Sequence, residues 1–141
     1  MKTREIQSFC DEIWESSIIP ELTNYIRIPN KSPAFDPEWQ KNGYMDKVVD
    51  QFVSWCKKQN IRGMELEVVR LPERTPLIYL DIAAESSGDD RTVLLYGHLD
   101  KQPEMSGWRD GLDPWTPVLE GEKLYGRGGA DDGYALFASL L

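Results

Sequence analysis

An α/β sandwich is the fold class that this sequence predicts. Three observations carry it: two stretches of helical apolar spacing open the chain, strand-like runs fill its middle, and a new helix begins near residue 134. In the first stretch, residues 6–28, Phe9, Ile13, Trp14, Ile18, Leu22, Tyr25 and Ile26 recur on one helical face. Pro20 lies inside it and removes a backbone donor, which predicts a kink or break there. Pro29, Ser32 and Pro33 end the element, and residues 30–42 read as a loop. A second helix is expected over residues 44–59, burying Val48, Phe52, Trp55 and Cys56, with Asn60 and Gly63 as its stop.

Beyond Gly63 the period changes. Residues 64–71 alternate as a strand does, and residues 77–83 form a second candidate behind Pro76. Residues 85–90 read as a tight surface turn. Thr92-Val93-Leu94-Leu95-Tyr96 is a short continuous apolar run, the pattern of a strand covered on both faces. Residues 115–119 and 123–125, joined by Glu120-Gly121-Glu122, predict a hairpin. The closing segment brings Leu136, Phe137, Leu140 and Leu141 with no cap or polar tail, so the chain is expected to be a piece cut from a larger domain.

The 141 residues suffice for one domain, and 40% hydrophobic with 28% charged residues suits a globular chain. A net charge of -8 with no basic run beyond Lys57-Lys58 argues against nucleic acid and anionic membranes as partners. Cys10 and Cys56 form neither a metal-binding pair nor a disulfide framework, so they read as reduced packing residues. With no apolar leader and no membrane-length run, the expected compartment is the cytoplasm.

Two motifs could carry chemistry. The single histidine, His98, lies in Gly97-His98-Leu99-Asp100 at the expected carboxyl end of the 92–96 strand, where open α/β sheets bind ligands. In an extended chain Asp100 would share the face of His98, fix the imidazole tautomer and leave one nitrogen for a metal. The second motif is Gly126-Arg127-Gly128-Gly129-Ala130-Asp131-Asp132-Gly133. Its glycines imply a tightly bent backbone, and its adjacent carboxylates repel unless a cation compensates. One carboxylate can bridge two ions ~3.5–4 Å apart, so the loop suits a two-metal site. It lacks the third glycine of a dinucleotide fingerprint and the lysine of a P-loop. The plainer readings are a hydrogen-bonded His98, an Asp132 that caps the following helix, and Trp108 and Trp115 packed beneath a long loop.

Taken in order, Tyr96-Gly97-His98-Leu99-Asp100, Gln102-Pro103, Gly107-Trp108, Asp113-Pro114-Trp115-Thr116-Pro117, Leu124-Tyr125-Gly126-Arg127-Gly128 and Asp131-Asp132 resemble the co-catalytic zinc exopeptidases and amidohydrolases. That family includes carnosine dipeptidases, glutamate carboxypeptidases, aminoacylases and acyl-diaminopimelate deacylases. The resemblance covers residues 92–133, and Tyr25-Ile26-Arg27-Ile28-Pro29 also fits the family's opening. It implies a three-layer α/β/α catalytic domain with a mixed sheet, of which residues 1–141 would be the N-terminal part, without the lid or dimerisation domain.

By the same resemblance His98 would bind one zinc, Asp131 would bridge two, and Asp100 would orient the imidazole. The reaction implied is attack by metal-activated water on a peptide or N-acyl amide, with a glutamate as general base. The substrate would be a small peptide or N-acyl amino acid. The Glu-Glu pair, a further acidic ligand and a late histidine would lie beyond residue 141. This chain alone is therefore expected to be inactive, and its oligomeric state is left open. Gly133-Tyr134 stands where many members have lysine, which leaves the dipeptide specificity open. The competing expectation is a non-catalytic remnant or protein-binding module that keeps part of the fold.

Overall fold

A computed structural model describes residues 3–85 and 91–141. Among the described residues, five α-helices and two β-hairpins follow in the order α1 (Thr3–Ile13), α2 (Ile19–Ile26), α3 (Trp39–Asn42), α4 (Tyr44–Lys58), β1 (Met64–Val69), β2 (Leu77–Ile82), β3 (Val118–Glu120), β4 (Lys123–Tyr125) and α5 (Tyr134–Ser139). The class is α/β: a helical core carries two separate two-stranded antiparallel sheets. Among the described residues no helix is long and apolar enough to cross a membrane.

The first helical stretch does not break at Pro20. A π-helical turn, Trp14–Ile18, runs directly into α2, and Pro20 falls in the first turn of α2, so the proline is accommodated at a local change of helix type. Ile18, Leu22, Tyr25 and Ile26 lie one or two turns apart and are buried. α1 buries none of its residues, and Phe9 is exposed. The loop expected over 30–42 contains α3, a single turn ended by Gly43 in the left-handed conformation at φ 68°.

α4 lays Val48, Phe52, Trp55 and Cys56 into one core cluster with α2 as the spacing predicts, and Met45 and Val49 of the same helix are also buried. The Trp55 indole donates to Ser17 Oγ at 2.8 Å, so its polar edge is satisfied inside the core. Phe137 of α5 closes the cluster, with ring centroids 4.6 Å from Phe52 and 4.7 Å from Trp55. β1 and β2 pair with Leu66 opposite Leu80 and Val68 opposite Ile78. Leu66, Ile78 and Leu80 pack on the core, while Glu65, Glu67 and Asp81 face outward.

The strand expected at 92–96 does not form. Residues 92–96 are neither a strand nor covered, with Leu94 88% and Tyr96 84% exposed. An apolar run becomes a strand only when a neighbour supplies its ladder, and no described residue does so. The turn expected at 85–90 lies, apart from Glu85, outside the described residues.

Candidate metal centre

His98 is held from below by the end of α2. The segment after α2 runs parallel to the His98 segment: Lys101 donates its backbone N–H to the Asn30 carbonyl at 3.0 Å, and Ser32 donates to the Lys101 carbonyl at 2.9 Å. The buried Asn30 side chain and the Tyr25 hydroxyl both donate to the Leu99 carbonyl, at 2.6 and 2.8 Å. The Leu99 carbonyl thus turns toward α2, and the Leu99 side chain packs against the core.

The glycine-rich loop reaches the same place from β4. Gly133 touches the Tyr25 ring, at a separation where a β-carbon would overlap Cε1. The loop is an irregular turn, Gly129–Gly133, in which Asp131 and Asp132 leave helical dihedrals and share a cis peptide bond.

Asp131 Oδ1 comes within 3.2 Å of His98 Nε2, and Asp100 Oδ1 lies 3.1 Å from Nδ1. The Asp100 backbone oxygen is also 3.1 Å from Nδ1. Asp132 Oδ2 accepts the backbone N–H of His98 at 3.3 Å. Asp132 therefore does not cap α5, as its sequence position suggested, but ties the loop to the histidine's main chain.

Burial lowers the affinity of His98 for a proton. The Asp100 carbonyl and the carboxylates of Asp100, Asp131 and Asp132 outweigh it and raise the imidazole's pKa above its ordinary value. The Tyr25 hydroxyl is shifted upward by burial and then by the same three carboxylates, so it stays a neutral donor. A surface depression of about 510 Å³ is lined by Arg4, Glu5, Ser8, Phe9 and Glu12 and shares no residue with this cluster.

Residues 94–141 match the peptidase family M20/M25/M40. This stretch of the chain is similar to that family. An uncharacterized metallohydrolase of Methanocaldococcus jannaschii is 31% identical over 124 residues, covering 84% of this chain and 29% of its own length. A succinyl-diaminopimelate desuccinylase of Gluconobacter oxydans is 35% identical over 89 residues, 57% of this chain and 22% of its own length. The chain thus spans about a quarter of the length of these relatives.

The match to the M20/M25/M40 family and the metallohydrolase relative together imply a divalent metal. The donors present fit part of such a site. With Nδ1 facing the Asp100 carboxylate, His98 keeps Nε2 as a lone-pair donor. Its 3.2 Å separation from Asp131 Oδ1 is close to the ~3.4 Å between two ligands of a tetrahedral ion with bonds of 2.0–2.2 Å. Among the described residues no group of three His, Cys, Asp or Glu side chains is placed to hold an ion.

Trp108 and Trp115 are half-buried within the segment between the two motifs. The Trp108 indole donates to the Glu104 carbonyl at 2.9 Å, and the Trp115 ring lies 5.6 Å from Lys101 Nζ. Sequence reasoning passed over Asn30 and Lys101. The only signal for either was a cation directly after a histidine–carboxylate pair, and that has no general reading.

Proposed function

We propose that this chain supplies the His98–Asp131 part of a binuclear zinc centre in an enzyme that hydrolyses a peptide or N-acyl amide bond. One observation carries the reading: His98 Nε2 faces Asp131 Oδ1 at 3.2 Å while Asp100 occupies Nδ1. In this arrangement His98 and Asp131 are the ligands, and Asp100 is a positioning residue that holds the imidazole tautomer. Bound there, zinc supplies Lewis acidity to a scissile carbonyl and to water. The chain's own part is to present the two donors on a scaffold anchored by Tyr25 and Asn30. The substrate class is a small peptide or an N-acyl amino acid, in keeping with the desuccinylase relative's name. The compartment proposed is the cytoplasm.

Two ligands fall short of the four that a closed zinc site uses, so residues 1–141 by themselves should bind metal weakly and turn over no substrate. Calorimetric titration with Zn(II) tests the ligands. Weak binding that His98→Ala and Asp131→Ala each abolish is expected, and binding indifferent to both would sink the assignment. Incubation with dipeptides and N-succinyl amino acids tests the second claim. Turnover by this chain that His98→Ala removes would show that no further donors are required.

The exposed apolar residues 93–96 favour a second reading, a non-catalytic module that binds a protein. That reading requires a defined complex or homodimer without metal. Light scattering that finds only a metal-free monomer or aggregate counts against it.

A further inference from the structure

Lys101 is among the least exposed residues of the chain, at 1%, although lysine is rarely buried. Its Nζ donates to the carbonyls of Tyr25 and Ile28, both at 2.6 Å. These groups lie at and just past the C-terminal end of α2, where the helix dipole favours a cation. The same nitrogen sits 3.7 Å from the centre of the Tyr25 ring. The aliphatic stem fills the space beside Gly128: a β-carbon there would come within 2.7–2.9 Å of Lys101 Cε, Cγ and Cδ. Gly128 also has φ 90°, a conformation that side chains seldom tolerate. Burial pushes the amine down to about 7, against two carbonyls and a ring face that favour the cation.

One residue therefore links all three parts of the centre, its side chain touching two of them and its backbone continuing the third. It binds the end of α2, it follows His98 by three residues, and it supports the loop three residues before Asp131. Its burial keeps the amine from a substrate, so any effect on chemistry must pass through the two donors. We propose that Lys101 is a positioning residue that sets His98 against Asp131 by clasping the α2 terminus to the glycine-rich loop. The proposal rests on the metal-site reading above for its consequence, though not for its geometry.

Lys101→Met tests it in the full chain, because methionine keeps most of the stem and removes the ammonium. Three measurements are compared with the parent chain, His98→Ala and Val48→Ala, a core variant that loses stability without touching the centre. They are far-UV circular dichroism, the ring resonances of His98 by NMR (the chain's sole imidazole) and Co(II) titration by visible absorption. Lys101→Met should keep the helical signal, move the metal-free His98 resonances, and weaken Co(II) binding about tenfold or more, the usual effect of losing a ligand's support. Val48→Ala should leave those resonances in place.

Unmoved His98 resonances in Lys101→Met would overturn the proposal. Loss of its helical signal would overturn it too, by assigning Lys101 to folding alone, and so would equal movement in Val48→Ala. If His98→Ala leaves Co(II) binding intact, the metal reading fails, while the metal-free resonances still decide whether Lys101 positions the ring.

Discussion

Replacing Gly133 by alanine perturbs the point where the loop meets the core. The added β-carbon would overlap Tyr25 Cε1 and lie 2.8 and 2.9 Å from Cδ1 and Cζ, against an ordinary contact of at least 3.4 Å. The ring cannot swing aside freely. It is fully buried, its hydroxyl donates to the Leu99 carbonyl at 2.8 Å, Phe52 stands edge-on at 5.3 Å, and Lys101 Nζ covers one face. Overpacking a tight core costs about 1–3 kcal/mol. If the ring shifts enough to lose its hydrogen bond, roughly 1 kcal/mol is added. Gly133→Ala should therefore destabilise the chain by about 2–4 kcal/mol.

Gly129→Ala is the matched control. There the nearest atom is Ile26 Cδ1 at 3.4 Å and φ is not positive, so the change should be neutral or stabilising by up to about 1 kcal/mol. Urea unfolding followed by far-UV circular dichroism measures both, read as midpoint shifts at a common slope. The packing argument is refuted if Gly133→Ala falls within about 1 kcal/mol of the parent, or if Gly129→Ala costs as much.

Ser17→Ala should cost about 1–3 kcal/mol, because it orphans the buried Trp55 indole N–H, and a smaller loss in the same urea assay would mean that the donor finds another partner. Cys56 predicts an alkaline effect: burial pushes its thiol up to about 11 from 9.0, so between these values the unfolded chain sheds a proton that the folded chain keeps. Stability should fall by roughly 2–3 kcal/mol as pH rises through that window, and Cys56→Ala should flatten this part of the profile. Metal affinity should decline on acidification with a midpoint above His98's ordinary 6.5, since the neighbouring carboxylates favour the protonated ring and the proton competes for Nε2; a midpoint below it would contradict this. Glu85→Gln, which breaks an ion pair between exposed side chains, should shift the urea midpoint by no more than about 0.5 kcal/mol.

What the sequence made legible follows the range of the interactions involved. Residues 18, 22, 25 and 26 and residues 48, 52, 55 and 56 announce buried helical faces, because side chains three or four positions apart share a face whatever lies opposite. The hairpin at Glu120-Gly121-Glu122 is equally local and forms where expected. α3 is a single turn and leaves no periodicity to read. Residues 92–96 carry a strand's composition but not its partner, and pairing is never encoded in one strand alone.

The meeting of His98 with Asp131, separated by more than thirty positions, was likewise not derivable from spacing. It entered through resemblance to a family. The same long range hid Lys101, whose surroundings come from α2 and the glycine-rich loop and give no sign in its immediate neighbours.

The uncovered run at residues 92–96 has a practical consequence for anyone handling the molecule. Val93 is 81% and Leu94 88% exposed, and the five-residue segment contains no charge and no proline. Such a segment is a template for intermolecular cross-β stacking. The net charge of -8 opposes close approach between chains, but its reach shrinks to ~3 Å at 1 M salt. Solutions of this chain should therefore cloud fastest at high salt and near its pI of about 4.7, and a lysine at Leu94 should delay the onset.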